Sequence, residues 1–480
     1  MRQARLNSYH NALNPVVTRL QGTRNGCNPP DEICKPLNGK ICDCIGFMRQ
    51  LEVLMNILVI GSGGREHALT WKLAQSPKAE KIYAIPGNPG IGELAECVKD
   101  ISIEDNSSIV AFAKEHDIDL VVIGPEAPLT NGLADELTKA GIRVFGPTKE
   151  AAMLEGSKAF SKSIMKKYGI PTAKYEIFTD AAEAKAYIEK EGAPIVVKAD
   201  GLAAGKGVIV AMTTEEALSA IHEIMEESAF GNAGSRVVIE EFMEGEEASL
   251  LAFTDGKTIC PMISSQDHKR AYDGDEGPNT GGMGTYAPAP VMTEPMLNQT
   301  EEKILKPIIA AMEKEGHPYQ GCLYAGLMIT KDGPKVVEFN ARFGDPETQV
   351  VLPLLESDLV EIMCACADGR LGEQDIHWSD GSAVCVVLAA GGYPKSYEKG
   401  HEITGLGKAK ALDTIAFHAG TSEKDGKIVT AGGRVLGIVA KAASVKEAVE
   451  KAYKGVGEVK FKDVHYRRDI AHRALERCGK

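Results

Sequence analysis

Asn56-Ile-Leu-Val-Ile-Gly-Ser-Gly-Gly-Arg-Glu-His-Ala68 is an apolar run of strand length that breaks into small residues and resumes as a charged, helix-forming segment. A strand that enters a glycine turn at the mouth of a helix is the opening unit of an open α/β sheet. The pattern recurs downstream. Lys81 to Ile85, Asp119 to Ile123 and Arg143 to Phe145 read as further strands, the last two closed by Gly124-Pro125 and Gly146-Pro147. Open parallel sheets place their ligands in such strand-end loops.

The glycine turn invites a dinucleotide reading, and two residues oppose it. The fingerprint needs a glycine at the sixth position of the loop, where Glu66 stands, and an acid at the end of the second strand. That strand instead runs into Pro86-Gly87-Asn88-Pro89-Gly90. NAD is therefore disfavoured. A glycine turn at a helix N-terminus still exposes backbone N–H groups that suit a single phosphate. A tight turn without ligand is the plainer alternative.

A chain of 480 residues, 44% hydrophobic and 25% charged, is expected to form several soluble domains. No apolar stretch approaches the roughly 18 residues of a membrane span. The net charge of −13 opposes general nucleic-acid binding, which depends on surplus Lys and Arg. Residues 1–54 differ from the rest: cations outnumber acids there, and Cys27, Cys34, Cys42 and Cys44 lack the spacing of zinc-binding pairs. They read as a disordered extension or an upstream mis-set start, a transit peptide being the weaker reading. The remaining cysteines are expected as reduced thiols of a cytoplasmic protein.

Further on, a helix is expected over Lys158–Tyr168 and strands at Ile195–Lys198, Val208–Ala211 and Arg236–Glu241. Between two of these strands lies Lys198-Ala-Asp-Gly-Leu-Ala-Ala-Gly205-Lys206-Gly207. It is one residue too short for a Walker loop and leads into a strand, so it suits a glycine flap folding over phosphates. Val237 to Glu247 is a strand entering an acidic turn, able to offer acceptors to an adenine amino group and a ribose, or simply to face water. In Val336-Val-Glu-Phe-Asn-Ala-Arg-Phe-Gly-Asp-Pro-Glu-Thr-Gln349, residues two apart share a strand face. Glu338 and Asn340 thereby offer oxygen ligands to magnesium, and Arg342 joins them for a carboxylate or phosphate. Ser264 to Gly284 reads as a long loop without regular structure, holding His268, Lys269 and Arg270 for an anionic substrate.

Taken together, GSGGREHA, PGNPG, GPEAPL, LEGSKAF, KADGLAAGKGV, SQDHKR, GPNTGGMG, EFNARFGDPETQ and GGRV make the chain from Met55 onward resemble the glycinamide ribonucleotide synthetases (phosphoribosylamine–glycine ligases) of the ATP-grasp superfamily. The resemblance implies an α/β protein with an N-terminal open parallel-sheet domain (55–158), a central ATP-grasp domain (159–380, lid about 175–245) and a small C-terminal α+β domain (381–480). It implies ligation of glycine to 5-phosphoribosylamine with ATP and Mg2+ or Mn2+, through a glycyl phosphate, by a monomer or small homo-oligomer. No covalent nucleophile is needed.

Carried over by position, ATP would be held by Lys158, Lys198, Gly205, Lys206, Gly207, Glu240, Glu241, Phe242 and Glu247, and the metal by Glu338 and Asn340. Arg342 and Asp345 would orient glycine, with Lys206 acting alongside them on the reacting groups. Phosphoribosylamine would meet Gly63, Gly64, Arg65 and Glu66 of the opening turn, Gly87 and Asn88, and Gly124, Pro125 and Glu126. Asp267, His268, Lys269, Arg270, Gly433 and Arg434 complete the substrate set. Ala431 stands where the family often has Asn.

Overall fold

A computed structural model describes residues 54–201, 207–227 and 234–478. The expectations for the extension, with its four cysteines, and for Gly205 and Lys206 lie outside the described residues.

The opening strand β1 (Met55–Gly61) leads through the glycine turn into α1 (Gly64–Leu73). With β2 (Ala79–Pro86), β3 (Glu96–Cys97), β4 (Leu120–Ile123) and β5 (Arg143–Phe145) it builds a parallel sheet of order β3-β2-β1-β4-β5. Leu58, Ile60, Val121 and Ile123 pack on one face and Ile57, Val59, Leu120 and Val122 on the other. Burial on both faces explains why these strands read as continuous apolar runs. The strand order switches direction at β1, which places the sheet's crevice beyond the ends of β1 and β4.

Helix α2 (Lys158–Tyr168) starts where Ser157 caps it, its hydroxyl accepting from the Phe160 N–H, and stops at Gly169 with φ 68°. A left-handed residue after the last turn suits glycine. Lys158 is therefore the first helical residue, and Lys162 sits one turn along on the same side. The lid is an antiparallel sheet of β6 (Tyr175–Phe178), β7 (Ile195–Ala199), β8 (Val208–Ala211) and β9 (Val237–Glu241), ordered β6-β9-β7-β8. Helices Ala181–Glu191 and Thr214–Ile221, capped by Asp180 and Thr213, supply Ile188, Ala217 and Ile221 to its core. The flap joins β7 to β8.

A second antiparallel sheet orders Ile259–Pro261, Glu246–Asp255, Gln320–Thr330 and Gly333–Asn340. Glu246–Asp255 is buried throughout from Ala248, since Leu250 and Ala252 pack into one core and Leu251 and Phe253 into another. It turns back as a hairpin with Ile259–Pro261, Thr254 pairing with Ile259.

The third large sheet orders Gln266–Asp267, Gly284–Ala287, Ser382–Ala389, Arg434–Ala442 and Ile415–His418, with helix Val445–Glu458 packed against its middle strands. Its first two strands come from the middle of the chain. The stretch 264–284 is thus no structureless loop: it also forms Arg270–Tyr272 and Glu276–Asn279, which pair with each other. Strands of two to four residues carry no readable period, and their partners lie far away in sequence. Among the described residues no helix is long and apolar enough to cross a membrane.

Candidate active site

The lid, the second sheet and the crevice of the parallel sheet face one cleft of about 500 Å³. Met165, Val196, Val208, Phe242 and Met328 give it an apolar slot of the kind a flat heterocycle occupies. Nine acids and several cations also line it.

Glu338 and Asn340 both line the cleft, and Phe339 between them borders it while packing in the core. Alternation along strand Gly333–Asn340 produces this, with Val337 bulged where the register with Gln320–Thr330 slips. Among the described residues the Glu338 carboxylate has no hydrogen-bond partner. Burial would raise its pKa, but Lys269, Lys198, Lys158 and Arg342 outweigh that and hold it below the usual range. Asn340 Oδ1 accepts from Arg342 at 3.2 Å.

Three lysines face this strand from the lid side. Lys198 on β7 donates to the Val337 carbonyl at 3.1 Å and meets Glu240 at 3.0 Å. Lys158 donates to the Gly201 carbonyl at 3.1 Å, at the base of the flap. Lys162 pairs with Glu240 at 2.9 Å and with the Thr172 hydroxyl at 2.8 Å. Burial pushes the Lys162 ammonium down to about 8, with Glu240 opposing and Lys198 adding to the fall. Glu240, only 2% exposed, is therefore clasped between two ammonium groups. Its Oε1 lies 3.0 Å from the Lys198 ammonium yet makes no hydrogen bond among the described residues. Glu241 meets Lys335 at 3.8 Å, and Glu247 holds Lys269 at 2.6 Å.

Arg342 is held by Glu155 at 2.9 Å and lies 3.6 Å from Glu126, while its Nε has no hydrogen-bond partner. Burial lowers its pKa, yet Glu155 and Glu126 prevail and raise it. Asp345, expected free to hold an ammonium, is committed: Gln349 donates to it at 2.8 Å, Arg434 approaches at 3.4 Å and the Arg65 N–H at 3.4 Å. Arg434 also donates to the Asp345 carbonyl at 2.7 Å.

The opening turn differs most from expectation. The carboxylate of Glu66, 2% exposed, accepts from the Gly63 N–H at 2.6 Å and from Arg65 Nε at 2.5 Å. Glu66 thus takes the first N–H of the helix end that reads as a phosphate cradle, and Asp345 approaches the N–H of Arg65. A Cβ on Gly63 or Gly124 would run into Glu66, and one on Gly64 would meet Gln349 at 2.5 Å. These glycines make room for packing. Asn88 ties the chain together by donating to the carbonyls of Ser62 and His418, each at 2.8 Å, and a Cβ on Gly433 would strike Tyr393. Gly63, Gly64, Glu66, Gly87, Asn88, Gly124, Pro125 and Gly433 do not line the cleft, whereas Arg65, Glu126 and Arg434 do.

His268, Lys269 and Arg270 part company as well. Only Lys269 faces the cleft. His268 is buried and accepts the Ala471 N–H at 3.2 Å; burial, then Arg467, push its imidazole down to about 3, so it is neutral. Arg270 points to the surface and donates to the Gly277 carbonyl at 2.7 Å. The sequence reading missed Lys162, Glu155, Tyr324 and Glu347. The four-residue step from Lys158 to Lys162 was the available signal.

Two antiparallel sheets closing on a cleft, one with a glycine flap and the other with a Glu/Asn strand, are the ATP-grasp architecture. ATP-grasp ligases use ATP with a divalent metal. The chain belongs to the phosphoribosylglycinamide synthetase family: the family's N domain matches residues 55–155, its ATP-grasp (A) domain 156–348 and its C domain 383–473. It is 55% identical over 424 residues to phosphoribosylamine–glycine ligase of Brucella melitensis biotype 1, covering 88% of this chain and 99% of that protein. Over 421 residues it is 53% identical to the same-named protein of Halalkalibacterium halodurans, covering 88% and 97%. The crystal structure of phosphoribosylamine–glycine ligase from Thermotoga maritima matches with TM-score 0.76 at 36% identity, over 87% of this chain and all of that one.

The residues present fit a divalent cation. Glu338 offers an unpartnered carboxylate beside an amide oxygen. Among the described residues there is no cluster of three or more His, Cys, Asp or Glu suited to hold a metal alone. A carboxylate and an amide oxygen suit an ion that fills the rest of its shell with nucleotide phosphates and water.

Proposed function

We propose that this protein joins glycine to 5-phosphoribosylamine with ATP, giving glycinamide ribonucleotide, ADP and phosphate, in cytoplasmic purine biosynthesis. The observation that carries the reading is the unpartnered Glu338 carboxylate sharing one cleft with Lys198 of the lid and Lys158 and Lys162 of α2. A glycine carboxylate oxygen would attack the γ-phosphorus, releasing ADP and leaving glycyl phosphate. The phosphoribosylamine nitrogen would then attack the acyl carbon and expel phosphate.

The chain's own groups fit these steps. Lys198 and Lys158 each donate one hydrogen bond, so both retain donors for phosphate oxygens. Adenine would enter the apolar slot against the backbone at Glu241 and Phe242, with Glu247 near the ribose and Glu240 fixing two lysines. Glu338 and Asn340 would hold Mg2+ or Mn2+, which lowers the repulsion between two anions. The Arg342 guanidinium, which lines the cleft, would take the glycine carboxylate. Arg65 and Arg434 would take the ribose phosphate, with Glu126 close by. The flap, with Gly205, Lys206 and Gly207, would close over the triphosphate and exclude water from the acyl phosphate. We assign residues 55–158 to the phosphoribosylamine side, 159–380 to the ATP side with its lid at about 175–245, and 381–480 to closure.

The test is ADP release with glycine plus phosphoribosylamine against other acid–amine pairs. Release strictly dependent on both compounds supports the reading. Faster release with another pair removes it.

A further inference from the structure

Strand Glu246–Asp255 has Gln320–Thr330 along one edge for its whole length, while Ile259–Pro261 pairs with its other edge at Ala252, Phe253 and Thr254. Nearer its start, Ser249 exchanges backbone hydrogen bonds with Ser265, at 2.8 and 2.9 Å. At the first two residues a side chain takes over. Gln266 Nε2 donates to the Glu247 carbonyl at 2.6 Å and to a Glu246 carboxylate oxygen at 2.9 Å. Gln266 is 0% exposed, and its Oε1 accepts from the hydroxyl of Tyr286, the residue opposite it in the third sheet. Two acceptors at one end and a hydroxyl at the other leave this amide a single orientation. It takes the place of a neighbouring strand at Glu247.

The position it secures matters. Side chains alternate here: Glu246 pairs with Arg477 of the last helix, whereas Glu247 lines the cleft. There the Glu247 carboxylate holds Lys269, three residues beyond Gln266, at 2.6 Å. Lys269, against the opposing effect of burial, keeps that carboxyl below its usual range. The stretch 265–269 therefore grips Glu247 twice, by its carbonyl through Gln266 and by its carboxylate through Lys269. An ionised carboxylate is a strong acceptor for hydroxyls, and it works only if the backbone beneath it is held in place.

We propose that Gln266 is a positioning residue for the ribose of the nucleotide: its amide fixes the start of strand Glu246–Asp255 so that the Glu247 carboxylate meets the ribose hydroxyls. This deepens the ligase reading and rests on Glu247 lying at the ribose of ATP. Gln266 does not itself line the cleft, so its effect passes through Glu247.

The experiment uses the full chain with Gln266→Met, which keeps the length of the side chain and removes the amide. Calorimetry with Mg2+ and without glycine gives Kd for ATP and for dideoxy-ATP, which lacks both ribose hydroxyls. The unaltered protein binds ATP the more tightly. Gln266→Met raises the ATP Kd about tenfold, the weight of one well-placed hydrogen bond. The dideoxy-ATP Kd and the glycine KM stay within about threefold, since neither uses Glu247, and the preference for ribose hydroxyls collapses. Tyr286→Phe, which removes the donor that steadies Gln266, acts in the same direction by about threefold and stands as the test if Gln266→Met does not fold. An unchanged ATP Kd, or equal weakening of both nucleotides, overturns the proposal. Equal Kd values in the unaltered protein overturn it too, by removing Glu247 from the ribose. Absence of glycine-dependent ADP release leaves these Kd values readable and overturns the ligase reading alone.

Discussion

Replacing Arg467 with methionine removes a guanidinium that is 0% exposed while keeping much of the side chain's apolar stem. That group grips Asp469 through two bonds of 2.8 and 2.7 Å, Asp275 at 2.8 Å and the Arg270 carbonyl at 3.2 Å. Arg467 thereby fastens the C-terminal segment to the stretch that bears Asp267 and Lys269. Without it Asp275 keeps Arg473 and Asp469 keeps the Gly274 N–H. Breaking a buried pair costs about 3–5 kcal/mol. The two acids are 29% and 23% exposed, so water recovers part of this and about 2–3 kcal/mol is expected. Converted at 1.36 kcal/mol per factor of ten, that is about 30- to 150-fold faster amide exchange over residues 268–283. The His268 and Thr280 amides, bonded to Gly284 and Lys269, are the reporters. The amides of Ile57–Ile60 stay protected. Uniformly faster exchange across the chain, or none in 268–283, refutes the reasoning.

Glu338→Gln is expected to reduce ADP release about a hundredfold or more, since the charge opposite the phosphates is lost, with residual rate as the measurement. Lys162 titrates at about 8 when folded against 10.5 ordinarily, so between those values the unfolded chain binds more protons and stability rises with pH by ~3 kcal/mol. Urea denaturation at pH 7.5 and 10 should show this rise, and Lys162→Met should lack it. An equal rise in both proteins contradicts the burial argument. Gly124→Ala drives a methyl into Glu66 and should cost about 1–3 kcal/mol, read as a lower melting temperature. Gly457→Ala, in a helix with open space around it, is the control and should stabilise by about 0.5–1 kcal/mol.

Local signals carried most of the elements. The parallel strands announce themselves because burial on both faces demands unbroken apolar runs, and α2 because Ser157 caps it and Gly169 ends it. The Glu338/Asn340 face follows from the two-residue period of a strand. What stayed hidden depends on where a side chain turns. Nothing in GSGGREHA shows that Glu66 folds back to fill the turn, so a glycine turn that accommodates a carboxylate reads like one that accommodates phosphate. His268, Lys269 and Arg270 look alike in sequence, yet a short strand and a distant helix send them three ways. Lys162 was within reach, four residues past Lys158, and its partner Glu240 was not.

The third sheet has a bearing on how this protein could be divided. Strand Ser382–Ala389 is flanked by Arg434–Ala442 on one side and on the other by Gly284–Ala287, nearly a hundred residues upstream. A fragment cut at the start of the C-terminal match would leave the edge of Ser382–Ala389 bare, a row of unsatisfied amides and carbonyls on an apolar strand, ready to stick to its own kind. The piece recognisable as a module in sequence is not one that can be lifted out, and swapping it between relatives requires carrying residues 264–287 along.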